Sequence, residues 1–310
     1  MRRRCPLAIK TRSQTGDKDL ATTTVHQCRG GVFLPYKELP RTHPDVTIVI
    51  TQNQWEKVTL KRGRLTQTHQ NILESIIVNA EATRKLPDGR FAFLYSPAKV
   101  LRYMGITPKH HSWLYDKLSD FNTEIEIETE IFRRAGVLLY EKGESKVPIP
   151  GRILPGEKGE KRTKQPCYQL IVFHPFFSRL FDVDVAIHYR GLLPAILKLK
   201  RAVTQAVARF CLSHDRVNMA LLDILTALGA MNKDTPERTR RHIIKQVRDE
   251  IEALEKDFGI ELRKMADGRE GVFYQKHPKV WFESPEKPIP PLLTVIEAQK
   301  SETGQGAATV

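Results

Sequence analysis

One arrangement of local signals occurs twice in this chain of 310 residues. A short apolar helix stops at a glycine, a turn follows, and Thr-Pro begins a second helix that leads into a strand and a hairpin. The first copy centres on Gly105 and Thr107-Pro108, and the second on Gly229 and Thr235-Pro236. Either copy alone is a weak signal, but the repetition predicts two domains with one architecture.

The second copy has the clearer helix signals, between Thr235 and Leu254. Thr235 suits an N-cap, Pro236 suits the first helical position, and the acid Glu237 suits the positive end of the helix dipole. The apolar residues of this stretch recur on one face of a 3.6-residue period: Ile243, Val247, Ile251, Leu254 and Phe258. We expect that face to be buried in a core.

The opposite face of the same helix carries four cations at spacings of three, four and three residues: Arg238, Arg241, Lys245 and Arg248. At 1.5 Å per residue they extend along about 15 Å. On an isolated helix this pattern usually means a solvated charged face. Here Ile260 to Lys264 and Val272 to Gln275 predict a hairpin directly after the helix, and this context favours a nucleic-acid interface.

The order helix, helix, turn, helix and hairpin is that of the winged-helix form of the helix-turn-helix. We therefore predict an α+β fold with two tandem winged-helix domains, over residues 46–180 and 181–283. Residues 1–45 lack a sustained period and contain several Gly and Pro, which predicts a flexible basic arm. Residues 284–310 contain four prolines and then small polar residues, which predicts a disordered tail.

The net charge of +14 favours a polyanionic partner, with nucleic acid ahead of an anionic membrane surface. No run of 18 apolar residues occurs, so no membrane span is expected. The N-terminus lacks the apolar segment of a signal peptide, and we expect a cytoplasmic protein. The four cysteines are far apart and form no CxxC pair, so neither a zinc ribbon nor a redox site is indicated.

In a winged helix, the second helix of the turn pair enters the major groove and the hairpin contacts the backbone or the minor groove. Arg238 and Arg241 lie in the N-terminal half of the helix and are the predicted base readers, because Arg can donate two hydrogen bonds to guanine. The remaining predicted DNA-binding cations, expected mainly at phosphates, are Arg240, Lys245, Arg248, Arg263, Lys264 and Arg269.

The corresponding helix of the first copy is a weaker candidate. Lys109 and Ser112 share its outer side with Asp116 and Asp120, and two acids there would repel phosphate. We expect this helix to bind DNA only through its first turn, with Lys109 and Ser112, or to serve a protein contact instead. Specific binding should then depend mainly on the second domain.

No catalytic site is predicted. His110 and His111 are adjacent, whereas rolling-circle nicking enzymes place one residue between two metal-ligating histidines. A metal-dependent nicking enzyme is therefore the weakest of the readings considered. The chain also lacks a glycine-rich phosphate loop and a nucleophile elbow. We expect no enzymatic activity, no metal and no cofactor.

Three runs resemble the first winged-helix domain of plasmid replication initiators of the TrfA/RepA type: residues 47–77, FAFLYSPAKVLRYMG at 91–105 and TEIEIET at 123–129. GLLPAILKLKRAVTQAVARF at 191–210, with the turn pair and hairpin that follow, resembles the second domain of these proteins. The resemblance covers about residues 46–282. It is one of pattern and order, and not of a catalytic motif.

The resemblance implies a function. Such initiators bind repeated double-stranded sites (iterons) in a replication origin, help to open an adjacent AT-rich segment, and recruit host replication proteins such as the helicase and the host initiator. Many dimerise through the first domain, which implies a homodimer contact there. Some carry a sliding-clamp peptide, and the one matching segment here is QLIVF at 169–173, inside a predicted strand.

The alternative function is that of a winged-helix transcriptional regulator. Two unlike copies in one chain, without an evident ligand-binding domain, favour the initiator over the regulator.

Overall fold

The computed structural model describes residues 20–29, 32–39, 47–52, 57–61, 64–87, 90–123, 126–129, 133–135, 138–141, 168–173 and 185–283. The predicted tail, 284–310, and the first 19 residues of the predicted arm lie outside these ranges. Within them, the chain forms a mixed α+β fold of nine helices and fourteen strands, and the strands form four small sheets.

The elements of the first half are, in chain order, β1 (Leu20–Thr24), α1 (Val25–Arg29), β2 (Ile48–Gln52), β3 (Lys57–Lys61), α2 (Gln67–Val78), β4 (Ala80–Lys85), β5 (Phe91–Tyr95), α3 (Pro97–Tyr103), α4 (His111–Thr123), β6 (Glu126–Thr129), β7 (Arg133–Ala135), β8 (Leu138–Glu141) and β9 (Gln169–Phe173). Those of the second half are β10 (Ala186–Arg190), α5 (Leu193–Lys198), α6 (Ala202–Leu212), β11 (Arg216–Ala220), α7 (Leu221–Ala227), α8 (Glu237–Arg248), α9 (Ile251–Phe258), β12 (Ile260–Lys264), β13 (Glu270–Gln275) and β14 (Val280–Glu283).

Two of the sheets have the same strand order relative to their helices. In the first half, β5 precedes the pair α3 and α4, and the sheet order is β4-β5-β9-β8. In the second half, β11 precedes the pair α7 and α8, and the order is β11-β13-β12. In the first sheet, β5 is hydrogen-bonded to β9, and β9 to β8. In the second sheet, β11 is hydrogen-bonded in the same way to β13, and β13 to β12. The duplicated sequence pattern therefore corresponds to two units of similar topology.

The first helix of each pair ends in the same C-cap. Gly105 and Gly229 adopt left-handed φ values of 73° and 71°, which a glycine reaches without a Cβ clash. The residue after each glycine donates its N–H to the same position of the preceding helix: Ile106 to the carbonyl of Leu101 at 2.8 Å, and Ala230 to that of Leu225 at 2.9 Å. This hydrogen bond of a Schellman motif fixes the direction in which the chain leaves the helix.

Each unit has its own hydrophobic core. In the first, α2, α3 and α4 pack on β5 and β9 through residues such as Ile76, Phe93, Leu118 and Phe173. In the second, the helices α5 to α9 pack on β11 and β13 through residues such as Val207, Leu225, Val247, Phe258 and Val272. Gln169–Phe173, the segment that matches a sliding-clamp peptide, forms β9 and is paired on both sides within its sheet.

The flexible arm predicted over residues 1–45 does not hold for residues 20–29 and 32–39. All five residues of β1 are buried, and β1 pairs antiparallel with β10, whose other side pairs with β14. Thr22 Oγ1 lies 3.0 Å from Nδ1 of His188, 166 positions along the chain. Val32 and Phe33 are buried in the first core, and Leu34 is also buried. The strand contains three threonines, so the segment shows no apolar period, although β-branched side chains suit a strand.

A buried ion pair joins the two units, between α2 and α6. Nη2 of Arg209 donates to Oε2 of Glu74 at 2.7 Å, and each of the two side chains is 1% exposed. Nη1 donates to Gln67 at 2.8 Å, and Nη2 also donates to Asn71 at 2.7 Å. Gln70 donates to the other carboxylate oxygen of Glu74 at 3.1 Å. The guanidinium nitrogens and both carboxylate oxygens are therefore hydrogen-bonded.

The pKa of Arg209 shows the balance in this network. Burial lowers the pKa and is the largest single effect, but the charges of Glu74 and Tyr189 and the hydrogen bond with Glu74 together outweigh burial, and the pKa is raised. The guanidinium therefore stays charged in the interior, and the network depends on both partners.

We expect Arg209→Met to lower the free energy of unfolding by about 3–5 kcal/mol, because it leaves the buried carboxylate of Glu74 without its charged partner. Urea titration measures the loss. The double change Glu74→Leu with Arg209→Met should cost less than Arg209→Met alone, because no buried charge remains. Arg216→Met, at an exposed position, is the matched control and should change stability by less than about 0.5 kcal/mol. Equal losses in the single variant and the control would contradict the role of the ion pair.

We also expect Gly229→Ala to destabilise the fold more than Gly105→Ala. The left-handed φ costs a residue with a Cβ about 1–2 kcal/mol at either position. A Cβ at Gly229 would also lie 3.3 Å from Cδ2 of Leu34, whereas a Cβ at Gly105 meets nothing within 4 Å. Thermal unfolding of the two variants measures the difference. Identical losses would show that the Leu34 contact adds nothing.

Candidate nucleic-acid interface

The two sides of α8 have different surroundings. Ile243 and Val247 are buried in the second core, and Thr204 of α6 bonds the carbonyl of Gln246 at 3.4 Å. Arg238, Arg241 and Lys245 are exposed on the other side. The structure thus places the apolar and the cationic stripes of the sequence on opposite sides of one helix.

The helix begins one residue later than the sequence predicted. Pro236 occupies the N-cap position with φ −57° and ψ 142°, and Glu237 is the first helical residue. Thr235 closes the preceding turn instead, because its Oγ1 donates to Oδ1 of Asn232 at 2.9 Å and accepts the N–H of Asn232 at 2.8 Å.

The predicted single helix is broken after Arg248, so α8 has 12 residues. The carboxylate of Glu250 accepts the N–H groups of Lys200 and Arg201, at 2.6 and 3.0 Å, and so caps the start of α6. This contact draws Glu250 out of helical geometry, to φ −119° and ψ 15°. Leu254 and Phe258 belong to α9 and continue the buried stripe, which is why the sequence period runs across the break.

Three cations of α8 are available to a ligand. Nε of Arg241 donates to Glu237 at 2.9 Å, although Arg241 is 79% exposed, and Nζ of Lys245 lies 3.7 Å from Asp249. Pairs this exposed contribute at most about 1 kcal/mol, so a phosphate can displace them at low cost. Arg238 makes no hydrogen bond or ion pair with any residue that the structure describes.

Two other predicted DNA-binding cations hold the fold together. Arg240 donates from Nη2 to the carbonyls of Asn232 and Lys233, at 3.1 and 2.7 Å, and so closes the turn before α8. Arg248 makes a two-pronged ion pair with Glu270, with Nε–Oε1 at 2.9 Å and Nη2–Oε2 at 3.0 Å. The hydrogen bonds that Arg248 donates to Glu270 raise the pKa of Arg248. This pair ties α8 to the hairpin, and the 22 positions between its members left no local signal for Glu270 in the sequence.

The β12-β13 hairpin carries the last three predicted cations. Arg263 pairs with Glu261, and its guanidinium lies 5.8 Å from the ring centre of Phe273. Arg269 donates to Asp267 at 2.6 Å and lies 3.3 Å from Asp223 of α7. Lys264 is exposed and has no ion pair with a described residue.

The first unit differs from the sequence prediction at one acid. Lys109 and Ser112 are exposed at the start of α4, and Asp116 is exposed further along. Asp120 is instead half-buried against α2, with Oδ2 at 3.0 Å from Nε2 of His69 and 3.3 Å from Nζ of Lys117. The outward acidic pair expected on this helix is therefore reduced to Asp116, because His69 and Lys117 lie within reach of the second carboxylate.

No group of three or more His, Cys, Asp or Glu side chains that could hold a metal ion occurs within the described part of the chain. None of its helices is long and apolar enough to cross a membrane. No protein family, no curated protein and no solved structure matches this chain.

The contacts of Asp120 with His69 and Lys117 should make stability depend on pH. Burial raises the pKa of Asp120, but the contact with His69, and then the charge of Lys117, outweigh burial and hold this pKa below its ordinary value of 3.8. A carboxyl with a depressed folded-state pKa contributes stability above its unfolded-state pKa and loses that contribution as the pH falls through the folded-state value.

We therefore expect Asp120→Asn to lower the free energy of unfolding by about 1–2 kcal/mol at pH 7, and the loss to shrink as the pH falls below about 4. Urea titrations at pH 7 and below about pH 4 measure the free energy of unfolding of the variant and of the unaltered protein. Asp116→Asn, at the exposed neighbour, is the matched control and should have little effect at either pH. A loss for Asp120→Asn that is independent of pH would contradict a role for the ionised carboxylate of Asp120.

Proposed function

We propose that this protein binds double-stranded DNA sequence-specifically and that α8 is the recognition helix. The observation that carries the proposal is the outward cationic face of α8, which is the second helix of a turn pair and is tied to the hairpin beside it by Arg248 and Glu270. The element order α6, β11, α7, α8, α9 and the β12-β13 hairpin, in which α8 and α9 replace the single predicted helix, supports a winged helix for residues 185–283, and so does the sheet order β11-β13-β12. The order β5-β9-β8 supports a second winged helix in the first unit.

The dimensions and charges of α8 suit the major groove. The groove is about 12 Å wide and admits one α-helix. Arg238 has no hydrogen-bond or ion-pair partner among the described residues. Arg241 would have to break only an exposed ion pair with Glu237, so both guanidiniums are available to base edges. Lys245, further along the same face, is placed to meet a phosphate.

The cations that stabilise the fold take a smaller part in DNA binding under this proposal. If Arg248 turned to a phosphate, it would leave the carboxylate of Glu270 uncompensated near the DNA. Arg240 similarly closes the turn that orients α8. These two residues position the recognition helix, whereas Arg238, Arg241 and Lys245 contact the ligand.

We further propose that the DNA sites are repeats in a replication origin, and that the protein acts there as a plasmid replication initiator. The resemblance of residues 46–282 to such initiators supports this role, and so does the similar topology of the two units. In this role it opens the adjacent AT-rich DNA and recruits host replication proteins, the helicase and the host initiator among them, in the cytoplasm. A homodimer contact is assigned to the first unit, and no catalytic step is assigned.

A footprint of the purified protein on DNA flanking its own gene tests the role. Several regularly spaced protected repeats beside an AT-rich tract are the expected result. A single palindromic site over a promoter would instead support a transcriptional regulator. Salt-sensitive protection without fixed positions would contradict sequence-specific binding, because phosphate contacts alone carry no sequence information.

The double variant Arg238→Ala/Arg241→Ala should weaken binding to the footprinted site by about 1–3 kcal/mol for each arginine, which is tenfold or more for the pair. Lys109→Ala should weaken it much less, because that residue lies on the first unit. Fluorescence anisotropy at two salt concentrations measures the affinities. Lys256→Ala/Lys279→Ala, at two exposed positions away from α8, is the control for lost charge. Equal losses from the arginine pair and from Lys109→Ala would contradict the assignment of α8.

A further inference from the structure

We infer that a cleft between the two units binds a nucleoside phosphate. The cleft has a volume of about 750 Å³, which lies within the range typical of small-molecule sites. Met104, Ile106 and Trp113 of the first unit form one wall, and residues 197–200 of the second unit form another. Residues 36–38 lie along the rim. The inference does not rest on DNA binding, because none of these residues belongs to the proposed DNA-contacting surface.

Trp113 gives the cleft an aromatic wall. With Met104 and Ile106 it is packed at the edge of the first core and remains partly exposed. Its indole N–H has no acceptor among the residues that the structure describes. Buried or half-buried tryptophans usually have such a partner, and partly exposed rings of this size are the surfaces on which nucleic-acid bases stack.

Three lysines give the cleft a positive charge. Lys37, Lys198 and Lys200 line it, all three are exposed, and none forms an ion pair within the described ranges. Glu38 is the one carboxylate among the described lining residues. The positive charges of neighbouring lysines repel each other. A bound phosphate offsets this repulsion with its negative charge and accepts hydrogen bonds from the lysines.

Lys198 ends α5, and the loop that follows it and carries Lys200 is fixed before any ligand arrives. The N–H groups of Lys200 and Arg201 both donate to Glu250, and the carbonyl of Leu199 accepts the side-chain amide of Gln205 at 2.9 Å. A fixed loop loses little conformational entropy on binding, which favours affinity.

The floor of the cleft limits base selectivity. Asn71 donates to Gln205 Oε1 at 2.9 Å and accepts from Arg209 at 2.7 Å, so the two amides of the floor are already bonded to protein. They are therefore poorly placed to read the edge of a base. The structure accordingly implies that affinity depends on stacking and on the number of phosphates, with little preference between bases.

A single-stranded nucleic acid offers the same base and phosphate chemistry. A strand of several nucleotides needs an extended groove, whereas this cleft has the volume of one small ligand held between two walls. We therefore assign a free nucleotide, and a strand is one of the results that would overturn this assignment.

Isothermal titration calorimetry of the full chain with ATP, GTP, AMP and adenosine tests the inference. ATP and GTP should bind with affinities within a few-fold of each other, AMP about tenfold more weakly, and adenosine more weakly still. Lys198→Gln/Lys200→Gln should weaken ATP about tenfold and adenosine hardly at all. Trp113→Leu should weaken ATP and AMP alike, by about tenfold, and Trp113→Phe should restore most of the affinity.

The charge-matched control is Lys256→Gln/Lys279→Gln, which should bind ATP as the unaltered protein does. Thermal unfolding of every variant checks that the fold is retained. The inference is overturned if neither ATP nor GTP binds at millimolar concentration, or if the Lys198 and Lys200 changes leave ATP affinity unaltered. Tighter binding of an oligothymidylate than of ATP, lost in the same variants, would overturn the free nucleotide in favour of a strand.

Discussion

The ion pair of Arg209 and Glu74 determines how the two units meet. Burying two charges costs several kcal/mol for each ion, and the cost is recovered only when the partner and its surrounding hydrogen bonds are in place. Because Gln67, Asn71 and Gln70 complete the network, α2 and α6 can pack in one register and not in a neighbouring one. The cleft between the units depends on the same contact, since Asn71 and Gln205 lie on both the network and its floor.

The turn pairs show what a sequence can predict. Gly105 and Gly229 mark helix ends because the left-handed conformation is a local property of each residue, and both adopt it. The amphipathic character of α8 is local in the same sense. The strand β1 was missed because its partner is remote in sequence, and the break at Glu250 was missed because a contact with α6 causes it. Local signals thus predicted the repeated elements, and long-range pairing decided their boundaries and the place of the N-terminal segment.

Long-range contacts also decide which residues of the candidate interface are available to a ligand. The sequence shows that Arg238, Arg240, Arg241 and Arg248 carry charge, but it does not show where each guanidinium finds its acceptor. In the folded chain, backbone carbonyls take Arg240 and a hairpin carboxylate takes Arg248, while Arg238 and Arg241 remain at the surface. The four arginines of α8 therefore divide into two that orient the helix and two that stay exposed, where a ligand can reach them. This division follows from hydrogen-bond geometry, because all four residues have the same intrinsic charge and similar reach.

The pairing of β1 with β10 has a consequence for how the protein is made. On the ribosome, β1 emerges first, but its partner strand follows 166 residues later, as the register of Thr22 and His188 shows. At typical synthesis rates of about 5–20 residues per second, the nascent strand waits roughly 8–30 seconds with its backbone unpaired. The first unit is synthesised entirely within that interval, so its chain lies as an insertion between two strands of one sheet. The second unit is complete only when β1 pairs with β10, so the two ends of the described chain are committed to the fold together.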